Sequence, residues 1–101
     1  MTAKYVNIVR IDVPPEMEKE MHEWYVKEHF PRLLSAPGVL SAKRYELVEG
    51  DGPRYMAMFE IEGPEVIHAE AYEKARDSPW SNKMRLHHKN RSRSVYKQIY
   101  P

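Results

Sequence analysis

Apolar and polar residues alternate with a period of two in four separate segments of the chain, and each segment predicts a β-strand. The first carries apolar side chains on both of its faces. Between the second and third lies the loop Glu49-Gly50-Asp51-Gly52-Pro53, whose glycines are typical of a hairpin connection. The predicted strands are 4–13, 39–48, 54–62 and 91–100.

A helix is predicted after the first strand, where Pro14-Pro15 is followed by the acidic residues Glu16, Glu18 and Glu20. Carboxylates near a helix N-terminus are favoured by the helix dipole, and proline fits the first turn. The pattern predicts that this helix ends near Phe30, because Pro31 comes next. One short helical turn is expected over residues 32–36, before Pro37-Gly38.

A second helix is predicted after Gly63-Pro64, where Ile67, Ala71 and Ala75 recur at spacing four. It should end near residue 77, ahead of Ser78-Pro79. Residues 80–90 show no clear period and receive no assignment.

The resulting order β-α-β-β-α-β is the ferredoxin-like arrangement, in which two helices cover one face of a four-stranded antiparallel sheet. The fold class is therefore α+β, in a single domain over residues 1–101. Apolar residues on both faces of the strands of so small a chain predict that a second copy covers the other face, giving a homodimer.

The composition narrows the functional classes. The chain of 101 residues is 42% hydrophobic and 31% charged and contains no cysteine, which excludes disulfides, thiolate metal sites and thiol catalysis. No apolar run approaches the ~20 residues of a membrane span, and no leader pattern is seen at residues 1–4. We therefore expect a cytoplasmic protein that does not enter a membrane.

Charge is distributed unevenly, with a net −5 over residues 1–82 and +6 over residues 83–101, where there is no acidic residue. The basic segment Lys83 to Lys97 could meet an anionic ligand or phosphate, or lie against an acidic surface of its own or a neighbouring subunit. RNA-recognition domains share the strand order, but residues 54–59 lack the glycine of their third-strand signature, so nucleic acid is not the expected partner.

The candidate chemistry lies on the first predicted helix. Its apolar stripe contains Met17, Met21 and Trp24, and Glu28 falls inside that stripe. A carboxylate there is either buried, with a raised pKa and an acid or base function, or turned outward into an ion pair.

Three further side chains, His22, Tyr25 and His29, share one flank of this helix at spacings three and four. An imidazole accepts a proton near neutral pH and a phenol can donate to an oxyanion, so the group suits proton transfer. The alternative is that the histidines only satisfy carbonyls at the helix end or lie in solvent.

Metal and cofactor sites are not expected. His87 and His88 are adjacent, so they point to different faces if extended, and no carboxylate stands at ligand spacing nearby. There is no glycine-rich phosphate loop and no GxSxG nucleophile motif. Trp24 and Trp80 are explained by core packing as readily as by a ligand pocket.

Residues 24–34 (WYVKEHFPRLL), 36–40 (APGVL) and 42–45 (AKRY) resemble the dimeric α+β barrel superfamily, and within it EthD-like proteins and a related uncharacterised group. Those proteins carry an aromatic residue and Glu-His-x-Pro at the end of helix 1, and Pro-Gly at the start of strand 2. Residues 55–60 are similar to their third strand, and 78–80 to the segment after helix 2.

The resemblance implies a homodimer with back-to-back sheets and a small-molecule pocket between each sheet and its helices. Relatives in this superfamily include cofactor-free monooxygenases of aromatic polyketides, haem-degrading monooxygenases, lactone isomerases and polyketide cyclases. His29 corresponds to the motif histidine, and Arg44 and Tyr45 to strand 2 positions without an assigned role.

The leading hypothesis is a cofactor-independent enzyme of isomerase, cyclase or monooxygenase type that moves a proton on an aromatic or carbonyl metabolite. In it His29 is the acid or base, Glu28 orients it and Tyr25 donates to the oxyanion. Arg44 would hold an anionic substrate, and the other expected binding residues are Tyr45, Trp80 and Trp24. The alternative is a non-catalytic homodimer that binds a hydrophobic metabolite or acts as a structural partner.

Overall fold

A computed structural model describes residues 4–100; residues 1–3, on which part of the expectation of no leader rests, and residue 101 lie outside the described range. Four strands form one antiparallel sheet in the order β2-β3-β1-β4. This is the ferredoxin-like α+β arrangement predicted from the sequence. The strands are β1 (Tyr5–Asp12), β2 (Val39–Glu46), β3 (Tyr55–Ile61) and β4 (Lys89–Lys97).

The sheet register separates two faces. Ile8 of β1 lies opposite Met58 of β3 and Ser94 of β4, whereas Asn7 lies opposite Phe59 and Val95. On β3 the buried and half-buried residues alternate strictly, because one face packs on the helices. The other face carries no element among the described residues.

The helix after β1 runs further than predicted. A 3-10 turn (Pro15–Met17) leads into α1 (Glu18–Trp24), which continues through a π-helical turn (Tyr25–His29) into α2 (Phe30–Leu34). The expected end near Phe30 is therefore wrong. Pro31 removes only one hydrogen-bond donor and sits in the first turn of α2, where the preceding wide turn accommodates its ring.

The second helical region is also divided. A 3-10 turn (Pro64–His68) and α3 (Glu70–Arg76) occupy the predicted helix. The unassigned segment holds α4 (Pro79–Arg85), whose N-cap Ser78 accepts a hydrogen bond from the Ser81 amide. The helical period was hidden because one of the two buried positions of this helix is a polar residue, Ser81, beside Met84.

The hydrophobic core lies between the helices and one face of the sheet. Its most buried large side chains include Trp24, Met21, Phe59, Ile61 and Met84. Within residues 4–100 no helix has the length and apolar character needed to cross a membrane.

Candidate active site

The π turn decides which side chains of the first helical region face the core. The amide of Phe30 donates to the carbonyl of Tyr25, five residues earlier, so the turn contains one extra residue. In a regular α-helix Glu28 would follow Trp24 onto the core face, four residues on. With the extra residue His29 takes that position instead, and Glu28 is displaced to the edge.

His29 is enclosed by aromatic rings. Its side chain is 9% exposed, its ring stacks on Trp24 at 4.2 Å between centroids, and Tyr25 meets it edge-on at 5.2 Å. Burial lowers the pKa of His29 to about 3, with Arg85 and Arg76 contributing further. The imidazole is therefore neutral at physiological pH, and its Nδ1 atom has no hydrogen-bond partner among the described residues.

A small cavity lies beside this imidazole, between the helices and the sheet. Its volume is about 30 Å³, and Trp24, Tyr25, Phe59 and Tyr72 form the aromatic part of its wall. That is room for one or two water molecules, whereas pockets that enclose whole ligands begin near ~300 Å³. The cavity can take a functional group of a substrate, and a larger body requires the wall to move.

The rest of the wall is basic, and the sequence reasoning missed it. Four arginines line the cavity together with His88 and His29, and no carboxylate residue does. Burial, followed by the charge of Arg91, lowers the pKa of His88 to about 4. The excess of basic residues after residue 82 indicated a basic surface. Only the fold shows that these residues share a cavity with Arg76 of α3. The four arginines, called the arginine cluster below, are Arg76, Arg85, Arg91 and Arg93.

Tyr25 bridges this cavity and a second polar group. Burial raises the pKa of Tyr25 to about 12, so its phenol stays protonated and can donate a hydrogen bond. The guanidinium of Arg44 lies 4.0 Å from the centroid of the same ring. Arg44 thus contacts Tyr25 from outside the cavity, which it does not line.

His22 does not join Tyr25 and His29. It is exposed, its Nδ1 lies 2.8 Å from Nη1 of Arg44, and its ring meets Tyr55 edge-on. The extra residue of the π turn lies between His22 and His29, so it turns His29 off the flank that the two share in a regular helix.

Glu28 makes no hydrogen bond with His29 among the described residues. Its Oε2 accepts hydrogen bonds from the hydroxyls of Ser78 at 2.9 Å and Ser81 at 3.4 Å. The geometry therefore gives Glu28 a role in holding α4 against the helix, in place of the expected orientation of His29.

Only one of the three expected aromatic binding residues lines the cavity. Trp24 lines the cavity, with its Nε1 donating to the Ser81 hydroxyl at 3.1 Å. Trp80 instead donates to Glu20 at 3.0 Å, and Tyr45 lies on the opposite face of the sheet, so neither lines the cavity. Within the described residues no cluster of three or more His, Cys, Asp or Glu is placed to hold a metal ion.

Comparison with known proteins rests on structure. No protein-family model matches the chain, and no curated protein matches it by sequence. A protein assigned as an antibiotic biosynthesis monooxygenase from Bordetella bronchiseptica matches with a TM-score of 0.78 at 14% identity, covering 98% of this chain and 100% of that one.

Two further solved structures resemble this chain. SnoaB from Streptomyces nogalater, a cofactor-independent oxygenase, gives a TM-score of 0.67 at 13% identity, covering 99% and 97% of the two chains. An ethyl tert-butyl ether D (EthD) family protein from Bacillus halodurans gives 0.58 at 17%, covering 94% and 99%. The haem degrader MhuD from Mycobacterium tuberculosis also matches. These likenesses confirm the ferredoxin-like α+β fold of the single chain.

Proposed function

We propose that this protein is a small-molecule enzyme that carries out cofactor-independent acid/base chemistry on a carbonyl or phenol compound. The observation that carries the proposal is the unpartnered, buried Nδ1 of His29 beside a cavity that Tyr25 also lines. A neutral imidazole and a protonated phenol at one cavity supply a proton acceptor and a hydrogen-bond donor. The likeness to a cofactor-independent oxygenase supports this class of reaction.

The reaction begins with a proton transfer. A C–H bond next to the carbonyl, or the O–H bond of a phenol, breaks; the proton goes to the imidazole of His29, and its electron pair stays on the substrate as an enolate or phenolate. Return of the proton to another carbon completes an isomerisation, and addition of the carbanion to a second carbonyl gives a cyclisation. In an oxygenase, dioxygen accepts the electrons.

The surroundings of His29 favour the products of this step. In the empty cavity, burial keeps the imidazole neutral. Once an enolate forms, the imidazolium has an anionic neighbour, and the phenol of Tyr25 can donate to the new oxyanion. The positive charge of the arginine cluster stabilises the same anion.

The homodimer belongs to the proposal as well. The sheet face without helices carries Val6, Ile8, Met56 and Met58, all half-buried in one chain, with Tyr96 exposed beside them. Packing of this face against a second copy would remove it from water and extend a thin core.

The test is solvent deuterium exchange. The protein, without added metal, flavin or haem, is incubated in D2O with a panel of β-diketones and hydroxylated aromatic ketones, and exchange at carbon is followed by NMR. We expect exchange into at least one compound, slower by about 100-fold or more in His29→Gln. Oxygen consumption, recorded in parallel, separates an oxygenase from an isomerase or cyclase.

The matched control is His68→Gln, which removes an exposed histidine far from the cavity. Equal exchange rates in His29→Gln and the wild type would contradict the role of His29. Saturable binding of a panel compound without any exchange would favour the non-catalytic binder instead.

A further inference from the structure

The cavity beside His29 is surrounded by more positive charge than the core needs. The arginines come from α3 (Arg76), from α4 (Arg85) and from β4 (Arg91 and Arg93), so three separate elements contribute a cation to the wall of one cavity. Like charges that converge repel one another, and their convergence lowers stability unless a counterion is present.

Among the described residues, counter-charge is present only beside Arg76 and Arg85. Glu73 lies 3.9 Å from Arg76. Asp77 and Glu73 partly offset the lowering of the Arg85 pKa by burial, while Arg85 donates its hydrogen bonds to the carbonyl of Arg76 and to Asn82. Arg91 and Arg93 form no side-chain hydrogen bond or ion pair with residues 4–100.

The excess of positive charge also affects the pKa values of Arg85 and Arg91. Burial, followed by the neighbouring arginines, lowers the pKa of both groups from the usual range. A bound anion would raise both pKa values again through its opposite charge.

Two neutral imidazoles border the same cavity. The Nδ1 of His29 and both ring nitrogens of His88 are buried without a hydrogen-bond partner among the described residues. A neutral imidazole carries one N–H donor, and buried donors are normally satisfied. An oxygen atom in the cavity could accept a hydrogen bond from His88 as well as from the arginines, while the lone pair on Nδ1 of His29 stays free to take a proton.

We infer that the cavity binds the carboxylate of a small organic acid, held by the arginine cluster and His88, with His29 beside it. The planar guanidinium fork fits a carboxylate in a two-bond geometry. The cavity volume of about 30 Å³ gives room for a small functional group of this kind. The aromatic wall of Trp24, Tyr25 and Phe59 favours a substrate whose body next to the carboxylate is apolar.

This inference rests on the proposed function only in naming the anion as a substrate. Binding of the anion is measured without turnover, so the two can fail separately. Anion binding without deuterium exchange would contradict the proposed enzyme activity and support the anion site. Deuterium exchange without anion binding would support the enzyme activity and contradict the anion site.

The experiment is a titration with sodium benzoate, and separately with sodium phosphate, at ionic strength held constant with sodium chloride. Histidine side-chain ¹⁵N resonances of His29 and His88 report on the site. We expect a saturable shift with benzoate and a rise in the pKa of His29 as it saturates. Affinity should fall about tenfold or more in Arg91→Gln, since a charge-assisted hydrogen bond is lost.

Arg91→Gln should leave the fold intact, because the Arg91 side chain is exposed and makes no hydrogen bond with the described residues. Lys19→Gln, an exposed site on α1 that does not line the cavity, removes the same charge and should leave affinity unchanged. The inference would be overturned if benzoate caused no saturable shift, or if Arg91→Gln and Lys19→Gln lost the same affinity for benzoate. Saturation by phosphate but not by benzoate would overturn the assignment to a carboxylate.

Discussion

The imidazole of His29 lies on the indole of Trp24, with centroids 4.2 Å apart and planes 19° from parallel. The indole is itself fixed, because its Nε1 donates to the hydroxyl of Ser81 on α4. The orientation of His29 is therefore set by stacking on a buried ring, without a carboxylate partner. Such an arrangement keeps the imidazole neutral and places it at the cavity.

Stability should fall as the pH is lowered from about 6.5 towards 4. The pKa of His29 is about 3 in the fold and near 6.5 in the unfolded chain, so in this range the unfolded state binds the extra proton. The contribution of His29 to stability is complete above pH 6.5 and decreases by up to about 1.4 kcal/mol per pH unit below it. The groups around His29 that disfavour its charged form are Arg76, Arg85, His88 and Arg91.

Urea unfolding at a series of pH values measures this slope. Between pH 6 and 4, the unfolding free energy of His29→Gln should change less with pH than that of the wild type. The His68→Gln variant should follow the wild type more closely. A slope that His29→Gln leaves unchanged would show that His29 does not titrate as described.

Replacement of Glu28 should affect stability more than the chemistry at His29. Its Oε2 accepts from Ser78 and Ser81, so Glu28→Ala leaves two part-buried hydroxyls without an acceptor, at a cost of about 1–3 kcal/mol. Glu28→Gln keeps an oxygen acceptor and should cost less. Chemical denaturation measures both, and a change in the NMR-measured pKa of His29 in Glu28→Gln would instead restore the orienting role.

The period-two segments were sufficient to predict the sheet. All four strands were found within a few residues of their observed bounds, because alternation records directly which face of a strand is buried. Helix α4 was missed because its buried face combines the polar Ser81 with Met84, so the apolar residues alone show no helical period.

The candidate site was only partly within reach of the sequence. Tyr25 and His29 were found because they belong to one helix, where spacing alone indicates proximity. A helical wheel assumes 100° per residue, so it could not show that a π turn would exchange Glu28 for His29. The arginine cluster depends on contacts between α3, α4 and β4, which no local pattern records.

Arg91→Gln should raise the melting temperature by a few degrees at low ionic strength. Burial and the charges of Arg76 and Arg93 disfavour the Arg91 cation, and no partner among the described residues compensates. Added salt should shrink the difference, because it screens repulsion between partly exposed charges. Differential scanning calorimetry at two salt concentrations measures this, and a lower melting temperature for the variant at low salt would show that the guanidinium has a stabilising partner.

Gly38→Ala should destabilise the fold more than Gly52→Ala. Both glycines have positive φ values, +88° and +118°, which cost a residue with a Cβ roughly 1–2 kcal/mol. At Gly38 the new Cβ would also lie 2.5 Å from Cγ2 of Val66, whereas nothing lies within 4 Å at Gly52. The overlap should add about 1 kcal/mol or more. Equal losses in urea unfolding would show that the 3-10 turn carrying Val66 moves aside at little cost.

The open sheet face should hold two copies of the chain together. Ile8 and Met58 lie directly opposite each other on this face, near its centre, with Ser94 on the far side of Ile8. Ile8→Lys would bury a charge in the interface and should weaken dimerisation by about 100-fold or more. Val26→Lys makes a comparable change at a residue that is 72% exposed on the helical side, and it should leave the dimer intact. Sedimentation velocity across a dilution series measures the masses, with circular dichroism showing that both variants are folded. A wild-type monomer at all concentrations, or equal dissociation in both variants, would mean that this face does not join two copies.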